Sequence, residues 1–366
     1  MQKILLFIAS LFYFNSLFAK DEIKSWQGIH ETPLSCLEQQ FAEPPVEFAN
    51  HVIWGWEGKM DKKTICNDLD SIKKKGFRAI IFEAGYKLPF KYLSEEWFKA
   101  IRTGVLEAKK RGMKVWIIDE GKYPSGFAGG KFSQERPDLR MQALVIGDTI
   151  QIKRGEVMTN HKIAPEIISA VAVSTSGAPN RTVAINNGEI SFNAGLDDWK
   201  ILLVKSDFRT AVTRAVNNPN GGKDATNSLC DYLNPVAVQQ FIDWTHEQYK
   251  KYLGKELGTT VLGFRGDEPD YAHLPWTPSI VQTFKDTKGY DPTPYLASFF
   301  TTSPTIQEQR VKADYWDVWS SLFATHFFKL QADWCAANGV AHFLRPSGAK
   351  ILRPHGGARR FGVPKT

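Results

Sequence analysis

The sequence is poor in cysteine: four in 366 residues, at Cys36, Cys66, Cys230 and Cys335. None forms a CxxC pair or stands at metal-ligand spacing from a histidine, which argues against a zinc module. The four thiols can close one or two bridges or stay single and buried. There is no GxSxG elbow, no P-loop and no GxGxxG after a strand pattern, so a serine esterase and the common nucleotide-binding classes are set aside. Beyond the first residues no apolar run approaches the ~20 that span a bilayer. Acid is missing from one place only. From Leu344 to Thr366 there are Arg345, Lys350, Arg353, Arg359, Arg360 and Lys365 and no Asp or Glu. These six and Lys3 account for the net charge of +7, which leaves the body of the chain near neutral. No basic face with interleaved aromatics remains to suggest nucleic acid as a partner.

What is present is apolar and aromatic. Hydrophobic residues make up 43% and aromatics 13%, with eleven Trp. That suffices for a large core and, by length, roughly two or three domains. Exposed indoles are costly unless used, and sugar clefts use them as stacking platforms. The opening MQKILLFIASLFYFNSLFA has a basic start at Lys3, an apolar run from Ile4 to Phe14 and a small residue, Ala19, for cleavage. It reads as a signal peptide over 1–19 rather than a membrane anchor, so the mature chain is expected to be secreted or periplasmic, with no membrane span after cleavage. The first cysteine, Cys36, lies too far on for a lipid anchor.

An alternating β/α pattern follows. His51 to Trp56, Arg78 to Ala84 and Lys114 to Glu120 read as buried strands. Between them, Lys62 to Lys75 and Glu95 to Arg111 read as helices, the second capped by Ser94, and each closes on a glycine, Gly76 and Gly112. This order predicts a parallel sheet with helices outside. From Met141 to Ala215 apolar and polar residues alternate between Gly/Asn turns, which predicts antiparallel strands. Long barrel loops are the alternative for that segment. The β/α pattern then returns, with a long helix from Asn234-Pro235 to about Leu253, a strand at Thr260 to Phe264, helices near 279–287 and 306–337, and a last strand beginning at Gly339.

The predicted fold class is α/β, a TIM-like (β/α)-barrel incomplete at its C-terminus and carrying a β-rich insertion. The expected boundaries are a signal peptide over 1–19, the first part of the barrel over 20–140, the insertion over 141–215, the barrel's continuation over 216–343 and an aberrant basic tail over 344–366. The tail interrupts a strand in mid-run, as a frameshift or premature ending would; a disordered basic tail is the alternative.

In a parallel barrel the working residues stand at the C-terminal strand ends. Those ends carry Trp54 and Trp56, then Glu83, then Asp119 and Glu120 followed by Tyr123, and finally Asp267-Glu268-Pro269. Cleaving a glycosidic bond takes two carboxyl groups flanking it, one to protonate the leaving oxygen and one as base or nucleophile. Glu268, after an apolar strand, is the first candidate for the acid, with Asp267 and Glu120 as the other catalytic candidates. Trp54, Trp56, Glu83, Asp119, Tyr123 and Asp231 are candidate substrate contacts. Of Trp54 and Trp56, read as lying on opposite faces of their strand, at most one is expected to be a sugar platform. Each acid also has a plain reading as an ion pair or a helix cap. His246 is expected to be a satisfied residue of its helix, while His342 could line a site.

Three stretches carry a family resemblance. They are Trp54-Gly55-Trp56 with the helix that follows; Asp119-Glu120-Gly121-Lys122-Tyr123-Pro124-Ser125-Gly126-Phe127-Ala128-Gly129-Gly130; and Asp231-Tyr232-Leu233-Asn234-Pro235 with Asp267-Glu268-Pro269. Together they resemble the large secreted α-L-rhamnosidases of glycoside hydrolase family 106 and their close relatives, over roughly Ala49 to Phe343. The second stretch is the most specific. The resemblance implies a (β/α)-barrel catalytic domain with attached β-domains and release of terminal rhamnose from an oligosaccharide or polysaccharide. It implies an inverting mechanism, in which one Glu is the acid and another activates water, and calcium that helps to hold the sugar. Glu268 fits the acid position. The resemblance places the base on a later strand, in a stretch bearing His and Glu that this sequence does not contain. Two other readings stay open: a non-catalytic carbohydrate-binding protein or inactive fragment, and a retaining glycosidase with Glu120 and Glu268 as its pair.

Overall fold

The computed structural model describes residues 34–43, 50–121, 123–209, 213–214, 223–224 and 228–344. The expected signal peptide and the basic stretch from Arg345 onward lie outside the described residues, as does Lys122. The chain divides into two compact units, Met1–Ala49 and Asn50–Thr366. In the first, Leu34–Ala42 forms a helix, α1. All that follows concerns the second unit.

Its first elements alternate: β1 (His51–Trp56), α2 (Lys62–Lys74), β2 (Ala79–Ala84), α3 (Glu95–Lys110) and β3 (Lys114–Ile118). Asp61 caps α2 by accepting the Thr64 N–H at 2.8 Å, and Ser94 caps α3 by accepting the Trp97 N–H at 3.3 Å. Glu95 and Glu96 in the first turn of α3, with Lys109 and Lys110 in its last, complement the helix dipole. The third strand ends at Ile118, two residues before its expected end. The chain turns there because loop amides fold back onto the Glu120 carboxylate.

An antiparallel region follows: β4 (Gln142–Ile152), β5 (Val157–Lys162), β6 (Ile167–Ser174), β7 (Arg181–Val183), β8 (Ile185–Asn186), β9 (Glu189–Asn193), β10 (Trp199–Phe208), β11 (Thr213–Arg214) and β12 (Lys223–Asp224). Then come α4 (Pro235–Trp244), α5 (His246–Leu253), β13 (Val261–Gly266), β14 (Pro275–Trp276), α6 (Ile280–Lys288), α7 (Ile306–Leu322), α8 (Lys329–Ala337) and β15 (Ala341–Leu344). The helix expected over 234–253 is broken at Thr245, which stands at φ −114°, ψ −81°. Its hydroxyl donates to the Phe241 carbonyl at 2.6 Å, a back-bond that bends helices. A six-residue π-helical segment, Phe323–Phe328, joins α7 to α8.

Five parallel strands form one sheet in the order β1-β2-β3-β13-β15, a half-barrel with open edges at β1 and β15 among the described residues. Period-two alternation gives it two faces. Trp56, Ile80, Phe82, Val115, Ile117 and Phe264 pack in one core with Ile65 and Leu69 of α2, Trp97 and Ile101 of α3, and Tyr249 of α5. Ile53, Ile81, Glu83, Trp116, Ile118, Arg265 and Phe343 alternate with these and take the other, inner face. On the inner face the edge-strand residues are exposed, Ile53 at 47% and Phe343 at 54%, while Ile81 and Ile118 in the middle are buried.

The tryptophans require a correction. Side chains two apart on a strand share a face, so Trp54 and Trp56 do not point to opposite sides. Their rings lie 5.3 Å apart, and both pack on Phe82, at 5.6 and 5.1 Å. Trp56 is wholly buried core, and half-buried Trp54 sits beside it on the helix side.

The second sheet, β14-β4-β10-β6-β7, belongs to a separate core with α4, α6, α7 and the 3₁₀ segment Thr293–Phe300. Ser169 of β6 accepts the Ala297 N–H at 3.0 Å. Because β14 follows the Asp267–Asp270 loop and pairs with β4, this sheet anchors the far end of that loop. None of the four cysteines is paired in a disulfide. Among the described residues no helix is long and apolar enough to cross a membrane.

Candidate active site

The acids gather at the C-terminal ends of the half-barrel strands. Asp119 leaves β3 and its N–H donates to the Arg265 carbonyl on β13, at 3.1 Å. Six residues on, the Ser125 hydroxyl donates to Asp119 Oδ1 at 2.7 Å and accepts the Asp267 N–H, also at 2.7 Å. One hydroxyl thus clamps the loop after β3 to the loop after β13. The Asp231–Tyr232 segment joins the same knot. Tyr232 donates its hydroxyl proton to the Ser125 carbonyl, and the Cys230 N–H donates to the Gly126 carbonyl at 2.9 Å. Gly126 stands at φ +97°, and a Cβ there would meet the Tyr232 ring at 2.5 Å, so the close approach demands glycine.

The candidates divide by what holds them. Glu120 is buried, and its carboxylate accepts the backbone N–H groups of Gly121 at 2.7 Å, Gly129 at 3.1 Å and Ala128. Burial pushes its pKa up to about 8, against the pull of those amides toward the ionised form. These three amides tie the group to the Phe127–Gly130 turn. Asp119 is also buried, with Oδ2 unpartnered among the described residues. Burial raises its pKa to about 7, aided by the Asp267 charge and opposed by the Ser125 hydrogen bond and the Arg265 charge.

Asp267 and Glu268 are half-buried, between closed core and solvent. The Glu268 N–H donates to Asp267 Oδ1 at 3.0 Å, which fixes the turn between them. Tyr123, half-buried, has its pKa pushed up to about 12 by burial and then by the charges of Asp270, Glu268 and Asp267. Asp270 is held by Arg209 at 3.2 Å. Glu83 lies on the inner face two strands away, with Oε2 3.7 Å from where a side chain on Gly55 would begin.

Asp231 is buried behind this cluster. It accepts the Leu233 N–H at 3.0 Å, and Oδ2 has no partner among the described residues. Burial raises its pKa to about 7, against hydrogen bonds from Thr277 and Leu233. With Gln142, Tyr271, Trp276, Trp319 and Phe323 it lines a small recess. Tyr271 lies 4.6 Å from Trp319, and Trp319 stacks on Phe323 at 5.1 Å.

The structure thus brings together Asp119, Tyr123, Asp267 and Glu268, with Asp231 adjoining, and leaves Trp54 and Trp56 on the opposite face of the sheet. Sequence reasoning missed Ser125, Arg265 and the Tyr271/Trp319 wall. Trp319 and Phe323 are four apart on one helical run, a signal that was legible but read only as a barrel helix. His246 is buried against Phe264 at 4.3 Å, and His342, in register with Phe264 on β15, is on this same helix side rather than at the acids. Among the described residues no group of three or more His, Cys, Asp or Glu is placed to hold a metal ion.

The fold and site define a β/α protein with clustered acids at its strand ends. Comparison with known proteins adds similarities in sequence and in fold. The model of the alpha-L-rhamnosidase family, a glycoside hydrolase family, matches residues 180–354, which span β13, the acid loop and α7. A Formosa agariphila protein provisionally named a beta-glucuronidase is 23% identical, over 85% of this chain and 30% of its own length. The solved structure of a rhamnosidase from Novosphingobium sp. PP1Y superposes with a TM-score of 0.61 at 14% identity, covering 85% of this chain and 47% of that one. By sequence and fold the chain is related to glycoside hydrolases, and it spans less than half the length of either relative.

Proposed function

We propose that the protein built on this chain hydrolyses glycosidic bonds, removing terminal rhamnose from a glycan with inversion. The observation that carries the reading is Glu268, half-buried at the end of β13, in a loop pinned through Ser125 to Asp119. A carboxyl group at a strand end, between core and solvent, is placed to meet a leaving oxygen. Asp267 and Asp119 position the loop and contribute negative charge near a developing oxocarbenium ion. Tyr123 orients Glu268 or the sugar. The second carboxylate, which activates water, belongs on a later strand by the resemblance, where the half-barrel continues into a (β/α)-barrel. Export through the leader and a glycan as partner complete the reading.

Rhamnose follows from the names of the matched family and of the solved neighbour. The test is a panel of aryl glycosides given to the protein, with the product anomer followed by NMR. Release from the α-L-rhamnoside with inverted configuration is expected. Retention would contradict the mechanism. Glycan binding without release would favour a non-catalytic carbohydrate-binding protein.

A further inference from the structure

Two buried polar groups without a partner line the same recess. Asp231 is 2% exposed. Its Oδ1 accepts the Leu233 N–H at 3.0 Å, while Oδ2 has no hydrogen-bond partner among the described residues. Trp319 is 5% exposed, and its indole Nε1 is likewise without a partner there. The two come from different elements, Asp231 from the segment ahead of α4 and Trp319 from α7. Beside them the recess is walled by Tyr271, Trp276 and Phe323. Of the residues that line it, Gln142 and Tyr271 are half-buried and the rest buried, so its open side lies at those two. Tyr271 follows Glu268 by three residues in the loop after β13, which ties the recess to the acid.

A buried carboxylate oxygen and a buried indole N–H each give up hydration and gain nothing in return. The first is an acceptor and the second a donor only. A single hydroxyl serves both, donating its proton to one and accepting from the other. The recess is small, of a size for one substituent of a sugar ring rather than for the ring. An aromatic wall with a few polar groups that fix orientation is the usual make-up of a ligand site.

We propose that this recess seats one hydroxyl of the terminal sugar, which donates to Asp231 Oδ2 and accepts from Trp319 Nε1, and so selects the sugar presented to Glu268. The inference rests on the terminal-rhamnose reading and deepens it. It assigns the choice of sugar to Asp231 and Trp319, behind the acids, and leaves the cutting of the bond to the acids themselves.

The test is calorimetric titration of the chain with methyl α-L-rhamnoside and its monodeoxy analogues at C2, C3 and C4. It is run near pH 8, where Asp231, raised by burial to about 7, is ionised. One analogue is expected to bind about tenfold more weakly than the parent glycoside, or worse, because its missing hydroxyl leaves two buried polar groups unpaired. Trp319→Phe, which keeps an aromatic ring and removes the N–H, should erase most of that difference. Differences at the other two positions should persist. Asp231→Asn, which sets a donor amide where Oδ2 stood, should narrow the same difference and serves as the second variant if the first does not fold. Equal affinity for all four glycosides, as for a recess that holds only an enclosed water, overturns this inference alone, and so does a selectivity that survives either variant. A chain that binds none of the four overturns the rhamnose reading with it.

Discussion

At the scale of single residues, the site depends on one hydroxyl. Ser125 joins the Asp119 carboxylate to the Asp267 amide, so Ser125→Ala should loosen the loop that carries Glu268 without removing a reacting group. A misplacement of this kind is expected to lower kcat by about 10- to 100-fold with little change in KM, measured by steady-state kinetics. A loss confined to KM would contradict the positioning role.

Asp231 makes a different prediction. Its pKa stands at about 7 in the fold against an ordinary 3.8. A raised carboxyl pKa means the fold prefers the protonated form. Stability from this group is therefore full below about pH 4 and declines as pH rises toward 7, where the unfolded chain ionises first. Asp231→Asn should flatten that decline in thermal melts, by an amount on the order of a few kcal/mol. An unchanged pH profile would place the ionised form in the fold. None of these environments could be read from the sequence, because a buried acid and an exposed one are spelled alike.

At the scale of elements, the sequence was most legible where local chemistry acts alone. The helix starts at Asp61 and Ser94 and the strands β1 and β2 lie within a residue or so of their expected places, since capping and apolar runs need no distant partner. The sequence misled where tertiary contacts decide. The long helix breaks at Thr245 through a hydroxyl back-bond, and β3 stops early because Glu120 gathers three loop amides. The Trp54/Trp56 error was one of geometry, since a period of two puts both rings on one face. The turn at Gly126 gives a test at this scale. Gly126→Ala combines a positive φ with a clash against Tyr232, and is expected to cost roughly 1–3 kcal/mol in chemical denaturation. A neutral result would mean that the two loops are not locked as described.

At the scale of the whole molecule, a parallel half-barrel and an antiparallel sheet meet at the acid loop, the first supplying its start at β13 and the second its end at β14. The strand-end rule located the acids from the sequence, since it depends only on chain order and strand direction. What it could not supply was the partner of each side chain, and so it missed the clamp at Ser125, the aromatic wall and Arg265. On the inner face Ile53 and Phe343 leave apolar surface exposed on the two edge strands.

The central claim is that Glu268 donates the proton to the leaving sugar oxygen. The direct measurement is turnover of an aryl α-L-rhamnoside with a poor leaving group by the protein and its Glu268→Gln variant, alongside sugar affinity for both. Loss of about 10²- to 10⁴-fold in kcat with affinity retained is the predicted result. Turnover within a few-fold of the parent protein would contradict the assignment and move the acid elsewhere in the cluster.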